Sequence, residues 1–391
     1  MSAYSADYLY LDGDWITGHW IDVDADGMIL GIYDTVPPAD HSYHAGCILP
    51  GLINAHCHLE LSHMKGILPS GTGLVDFILG VLQQRAVDDQ VIQDAAYRSD
   101  QAMYAAGIQA VGDICNTLHT QSAKLQSPIC YVNFVEAYDL FQGTEGNPYF
   151  SSHLETYDQL VIKPQDRKSL VPHAPYSVSP GAFAQMSPYF KEDRGTISIH
   201  NQETPSENDF FTKRTGDLVD FYTTAGIPLD LGTIDTSSSL RYALDHLPTD
   251  RRILLVHNTM TTSHDILDAH RTHADVYWCT CPRANLYIEN RLPDYSTLRA
   301  AEARICIGTD SLSSNWSLSV WDEIKTLARY SSSIPITELI QWATLHGAEA
   351  LGLDDQLGSL RPGSAPGLVH VDVMPERRGQ HIAESKINRL V

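Results

Sequence analysis

Two histidines stand one residue apart in the run Pro50 to Gly66, PGLINAHCHLELSHMKG. Side chains alternate faces along a strand, so His56 and His58 point one way and Cys57 the other. Two imidazoles aimed at one point can bind a metal ion, and they can equally be surface histidines on a half-exposed strand. The rest of the chain decides. His200 and Glu203 close the run TISIHNQE, His257 closes RILLVHNT, and Asp310 closes ARICIGTDS. Neutral imidazole nitrogens with one carboxylate suit Zn2+, and Fe2+ is the second choice. His56, His58, His200 and Asp310 can supply the ligands and leave a position for water, whose pKa a divalent cation lowers toward about 7. Glu203, beyond the strand end, is not needed as a ligand and is free for proton transfer. His257 can hydrogen-bond the activated water and stabilise charge as it develops. One strand-end histidine is more often structural. The joint pattern, each member ending a separate apolar run, points to a metal-dependent catalytic site.

These residues need a scaffold that gathers strand ends. Eight short apolar, β-branched runs recur: 51–60, 107–115, 129–138, 169–177, 196–203, 252–259, 275–285 and 303–311. Helix-like segments such as VIQDAAYRSDQAMYAAG lie between them. Near-continuous apolar strands alternating with helices predict a parallel sheet covered on both faces. Eight such units fit an α/β fold of the (β/α)8 TIM barrel type, whose C-terminal strand ends form the active-site face. Residues 1–48 contain short β-rich runs split by Asp-Gly turn signals. The tail, with LGSLRPGSAPGLVHVDV, also looks like short strands. The expected organisation is a small β-sandwich built from 1–48 plus 357–391, beside a barrel over 49–356. The long span 204–251 is expected to hold extra helices over the barrel mouth.

The composition narrows the partners. The 391 residues carry 43% hydrophobic and 19% charged side chains, an ordinary globular balance. A net charge of −22 argues against nucleic acid and anionic membrane surfaces as partners. No basic leader and no apolar run of membrane-spanning length is evident, so a cytoplasmic protein is expected. The seven cysteines are expected to be reduced, buried thiols.

PGLINAHCHLELS, HAPYSVS, HNQE, VHNT, CPRAN and GTDSLSSN resemble the mononuclear-metal branch of the amidohydrolase superfamily. The resemblance runs over nearly the whole chain. It implies one Zn2+ or Fe2+ on His56, His58, His200 and Asp310, with His257 assisting the water. The fourth run ends PHAPYS and lacks the lysine usual in dinuclear members. The H-x-x-E of His200 and Glu203 is similar to that of deaminases of aromatic N-heterocycles, where the glutamate protonates a ring nitrogen. CPRAN looks like the C-P-x-S-N of purine deaminases, with Ala284 in place of the usual serine. The resemblance thus implies hydrolytic deamination of a 6-aminopurine nucleoside derivative. Aminodeoxyfutalosine comes first, S-adenosylhomocysteine or adenosine next. Alternatives on the same metal core are an s-triazine hydrolase, a guanine or cytosine deaminase and a cyclic amide hydrolase. A non-catalytic binding protein would be expected to lack a ligand or the proton shuttle, and none is missing. Candidate substrate contacts are Glu60, Glu136, His173, Arg283, Asn285 and Ser311. Glu60 is placed on the strand face of His58, and Arg283 and Asn285 either meet the purine edge or cap the following segment. A homodimer is plausible by the same resemblance.

Overall fold

The computed structural model describes residues 2–192, 195–232, 234–373 and 380–391. The chain opens with five strands, β1 (Ser2–Leu11), β2 (Asp14–Ile16), β3 (Trp20–Val23), β4 (Ile29–Tyr33) and β5 (Ser42–Pro50). Leu11 pairs with Asp14 across Asp12-Gly13, whose φ angles of 45° and 103° are those that an Asp-Gly hairpin turn demands. Eight further strands follow. They are β6 (Leu52–Cys57), β7 (Ile108–Ile114), β8 (Cys130–Ala137), β9 (Arg167–Pro172), β10 (Ile197–Asn201), β11 (Arg252–His257), β12 (Asp275–Thr280) and β13 (Arg304–Ile307). The last two are β14 (Leu368–Val371) and β15 (Ile387–Arg389).

Seven of the eight apolar runs contain one of the strands β6 to β13 whole, and β9 begins two residues before its run. They are buried along nearly their whole length, as parallel strands covered on both faces must be. They pair in parallel as two four-stranded sheets, β6-β7-β8-β9 and β10-β11-β12-β13. Among the described residues no continuous ladder joins the two sheets into a closed ring. They meet through the His200 amide, which donates to the His173 carbonyl at 3.0 Å, and through a parallel bridge between Cys57 and Asp310. The brevity of β13 explains the second junction. Its four residues end at Ile307, and only the following Gly-Thr-Asp reaches β6.

The two termini do come together. β14 lies antiparallel to β5, and the order β15-β14-β5-β1-β3-β4, with β2 on β1, makes one seven-stranded sheet. Leu9, Ile21, Val23, Ile29, Ile48 and Leu368 form its own small core. The expected sandwich needs a second facing sheet, and none is found among the described residues. The span 204–251 holds three helices, Pro205–Thr212, Asp217–Thr224 and Ser239–His246. Among the described residues no helix is long and apolar enough to cross a membrane. All seven cysteines are free, and all but Cys130 are buried.

A buried ion pair braces the turn after β6. Lys124 Nζ lies 2.5 Å from Asp113 Oδ2 and donates to Asn133 Oδ1 at 2.8 Å. Asp113 Oδ1 accepts the Leu59 amide, the residue after His58, at 2.8 Å. Burial works against the lysine charge, yet Asp113, with Cys115 and Glu60, raises the Lys124 pKa. Removing one partner strands the other charge in the core. Lys124→Met should lower the urea unfolding free energy by about 3–5 kcal/mol. The double change with Asp113→Asn should recover part of that loss.

Candidate active site

A cavity of 420 Å³ opens at the C-terminal ends of these strands. His58, His200, His257, Glu203 and Asp310 line it, and His56 lies fully buried behind them. His58 Nε2 is the centre of the cluster. It lies 3.1 Å from His56 Nε2, 3.4 Å from His200 Nε2 and 3.4 Å from Asp310 Oδ1. Asp310 Oδ1 is 3.8 Å from His56 Nε2. Ligands of a tetrahedral zinc at 2.0–2.1 Å stand about 3.3 Å from one another, and the His56, His58 and His200 nitrogens, all within 4.8 Å of one another, fit a divalent cation of that size. Burial lowers the His56 pKa well below the usual histidine value, and neighbouring imidazoles add to it. A neutral ring is what a metal ligand requires.

His200 and Asp310 are held from behind. Burial opposes charge on His200, but the Glu136 carboxylate, 3.0 Å from its Nδ1, holds its pKa up at about 10. The same Nδ1 lies 2.9 Å from the His173 carbonyl, which leaves Nε2 free to face the cluster. Burial would raise Glu136, but His200 and His173 pull it down to about 2. Ser314 Oγ donates to Asp310 Oδ2 at 2.6 Å, so Oδ1 is the oxygen turned toward His56 and His58.

Glu203 is buried on the same cavity, its Oε1 3.4 Å from His257 Nε2. Burial pushes its pKa up to about 8. Its backbone is fixed by Glu207, whose two carboxylate oxygens accept the Gln202 and Glu203 amides, each at 2.9 Å. Asn285 Nδ2 lies 3.2 Å from His257 Nδ1. With that amide as donor, Nδ1 is the acceptor and the His257 proton sits on Nε2, toward Glu203. Burial lowers the His257 pKa to about 3.

The remaining candidates fall into two groups. Glu60, Glu136, His173 and Ser311 line the cavity. The strand-face argument for Glu60 does not hold, because β6 ends at Cys57 and Glu60 lies in a 3-10 turn, Leu59–Met64. There its Oε2 accepts the Asn116 and Thr117 amides and the Thr117 hydroxyl. Glu136 also faces Asn116 Nδ2, at 3.2 Å. His173 Nδ1 lies 2.7 Å from Ser177 Oγ, and Ser311 Oγ joins Ser313 and Ser314 in a hydroxyl chain. Asn285 and Arg283 stand outside the cavity lining. Arg283 pairs with Asp322 at 3.4 Å and lies over the exposed Trp316 ring, while Trp321 is buried packing. Sequence reasoning missed Ser314 and Glu207. Ser314 had a signal in the hydroxyl-rich GTDSLSSN. Glu207 had none, because its function is to accept backbone amides.

The amidohydrolase family matches residues 47–389, and the chain belongs to it. A 5-methylthioadenosine/S-adenosylhomocysteine deaminase of Teredinibacter turnerae is 26% identical over 347 residues, covering 83% of this chain and 72% of that protein. The crystal structure of Helicobacter pylori aminofutalosine deaminase with methylthio-coformycin superposes with a TM-score of 0.82 at 22% identity, over 100% of both chains. A zinc-bound adenosine deaminase of Xanthomonas campestris superposes at 0.73 with 21% identity, covering 95% of this chain and 84% of that one. The chain is a hydrolytic aminohydrolase.

A cation held by this cluster stabilises the folded state by mass action. Stripping the protein with a chelator should lower its thermal midpoint, and adding Zn2+ back should restore it. At a free cation concentration a thousand times Kd the difference is about 4 kcal/mol.

Proposed function

We propose that this enzyme deaminates a 6-aminopurine nucleoside derivative by hydrolysis. In this reading β6 to β13 are the strands of a (β/α)8 barrel over 49–356, with 1–48 and 357–391 as the small domain. His56, His58, His200 and Asp310 hold one divalent cation, zinc before iron. The observation that carries the proposal is the pair of unlike carboxyls on one cavity. Asp310 is turned against the imidazole cluster, while Glu203 is buried and its pKa is pushed up to about 8. Two carboxyls in such different environments can serve as base and acid in one step.

The cation, when bound, supplies a Lewis acid that brings the pKa of a coordinated water toward about 7. Asp310 takes the proton of the water as its oxygen bonds to C6. Glu203 gives its proton to N1, so the electron pair released from the ring ends on a neutral nitrogen. His257, held by Asn285, points its Nε2 proton at the oxygen. The C6–N6 bond then breaks as the C6 hydroxyl becomes a carbonyl: Asp310 returns its proton to the departing ammonia, and the hydroxyl proton passes on to restore the Glu203 acid. The 420 Å³ cavity lies within the range of small-molecule sites, roughly 300–1,000 Å³. Aminodeoxyfutalosine is put first, with the structural likeness to an aminofutalosine deaminase in its support, and S-adenosylhomocysteine or adenosine next, with the Teredinibacter turnerae relative in support of the former.

The test is ammonia release from these nucleosides, with guanine and an s-triazine as comparators, each with and without chelator. Chelator-sensitive turnover of an adenine nucleoside far above the others is the expected result, and no turnover of any adenine nucleoside would sink the assignment. Glu203→Gln should retain the metal by elemental analysis and lose roughly 10²–10⁴ in kcat. A near-wild-type kcat in that variant would remove Glu203 from the proton-donor role.

A further inference from the structure

A second cavity, of 600 Å³, shares no lining residue with the catalytic one. The chain passes from one lining to the other at two places, from Leu61 to Ser62 and from Ser311 to Leu312. The floor of this second cavity is apolar, with Met103, Leu312 and Leu318 all buried. Lys65 and Arg98 stand at its rim, both exposed. No aspartate or glutamate lines it. The cavity thus carries local positive charge in a chain whose net charge is −22.

Its polar groups lack partners. No ion pair, side-chain hydrogen bond or aromatic contact of Lys65 or Arg98 is found among the described residues. The Ser62 hydroxyl is 5% exposed and has no hydrogen-bond partner among the described residues. A buried hydroxyl ordinarily has one, and here the cavity is the place from which it can come. His63 lines the same cavity. Its Nε2 donates to the Arg85 carbonyl at 3.1 Å, and its Nδ1 is buried without a partner. Ser317 and Ser319 are already engaged with Asp322, whose Oδ2 accepts the Ser317 hydroxyl at 2.8 Å. That carboxylate does not line the cavity, and Arg283 and Lys325 pair with it.

We infer that this second cavity binds a small phosphomonoester with an apolar body. Lys65 and Arg98 together balance the charge of about −1.5 to −2 that a phosphomonoester carries at neutral pH. Ser62 donates its O–H to a phosphate oxygen. The His63 Nδ1 accepts from the phosphate oxygen that keeps a proton in the monoanion. The apolar body covers Met103, Leu312 and Leu318. A carboxylate carries less charge and fewer acceptor oxygens, so it leaves one of these cations and hydroxyls unmet. The volume lies within the range of small-molecule sites, roughly 300–1,000 Å³. This inference does not depend on the deaminase reading.

The experiment titrates phenyl phosphate into the metal-loaded enzyme by calorimetry, with inorganic phosphate and benzoate as comparators. Phenyl phosphate should bind about tenfold or more tightly than inorganic phosphate through its ring, and about tenfold more tightly than benzoate through its greater charge. Lys65→Gln and Arg98→Gln should each weaken it by about tenfold or more, and Ser62→Ala by roughly two- to tenfold. Both cations are exposed, so these variants should keep the wild-type thermal midpoint. No binding of phenyl phosphate by the wild type overturns the inference. So does binding that is undiminished in both Lys65→Gln and Arg98→Gln, because the anion then sits elsewhere, as at the metal. Benzoate bound as tightly as phenyl phosphate overturns the phosphomonoester assignment, and inorganic phosphate bound as tightly overturns the apolar body.

Discussion

The carbonyl of His56 accepts two amides, Thr309 at 2.9 Å and Asp310 at 3.0 Å. This small junction is where the first sheet of four parallel strands meets the last, and the active-site cluster depends on it. It brings Asp310 Oδ1 to His58 at the far end of the sequence. It is reinforced from both sides. Asn54 donates to the Thr309 hydroxyl at 2.7 Å and accepts the Thr309 amide at 3.0 Å, while Asn315 donates to the Thr309 carbonyl at 2.8 Å. Gly308 allows the approach. A Cβ there would lie 2.8 Å from the His56 Cβ and 2.9 Å from its carbonyl oxygen, both unable to retreat. The H-x-H and G-T-D stretches are therefore one structural unit.

Around that unit the electrostatics follow from burial. Five of the six pairs among the rings of His56, His58, His200 and His257 stand with centroids 4.9–5.8 Å apart, too close to share positive charge in a dry site. Burial lowers His56, His257 and His173, which keeps them neutral donors or ligands. His200 is the exception because Glu136 stands directly behind it. The carboxyl groups divide in the same way. Glu136 faces imidazoles and is pulled down, and Glu203 is pushed up by burial, with Asp310 and Glu207 adding to it against the pull of His200. Glu136 is therefore a counter-charge behind His200, while Glu203 is a carboxyl able to hold a proton near neutral pH.

Much of this was legible in the amino-acid order. Each apolar run holds its strand because a strand buried on both faces needs apolar residues throughout, and the histidines and aspartate stand where those runs stop. The Asp-Gly turn between β1 and β2 is equally local chemistry. What could not be read depends on contacts between distant segments. Glu60 left the strand face because Asn116 and Thr117, some fifty-six residues away, pull its carboxylate into a turn. Asn285 turned from the substrate side to His257 because a helix start carries it there. The terminal strands join one seven-stranded sheet because β14 pairs with β5, and a strand's partner cannot be read from its own alternation.

The strand ends also show how the backbone was bent to suit the chemistry. Gln202, His257, Asn258 and Asp310 all have positive φ, between 46° and 78°, a region that residues other than glycine enter at a cost of about 1–3 kcal/mol each. An extended strand continued past β10 or β11 would alternate its side chains between the two faces. The left-handed residue interrupts that alternation and lets consecutive polar side chains serve the same end of the sheet. The cost is offset locally. The Asn258 amide donates to the Asn201 carbonyl at 3.0 Å, and its side chain donates to the Leu255 and Cys279 carbonyls at 2.8 and 3.1 Å. Asn201 donates back to Asn258 Oδ1 at 2.9 Å. Buried carbonyls that the turn would leave without partners are thereby satisfied. The two asparagines are thus part of the machinery that aims His200, Glu203 and His257, although neither lines the cavity.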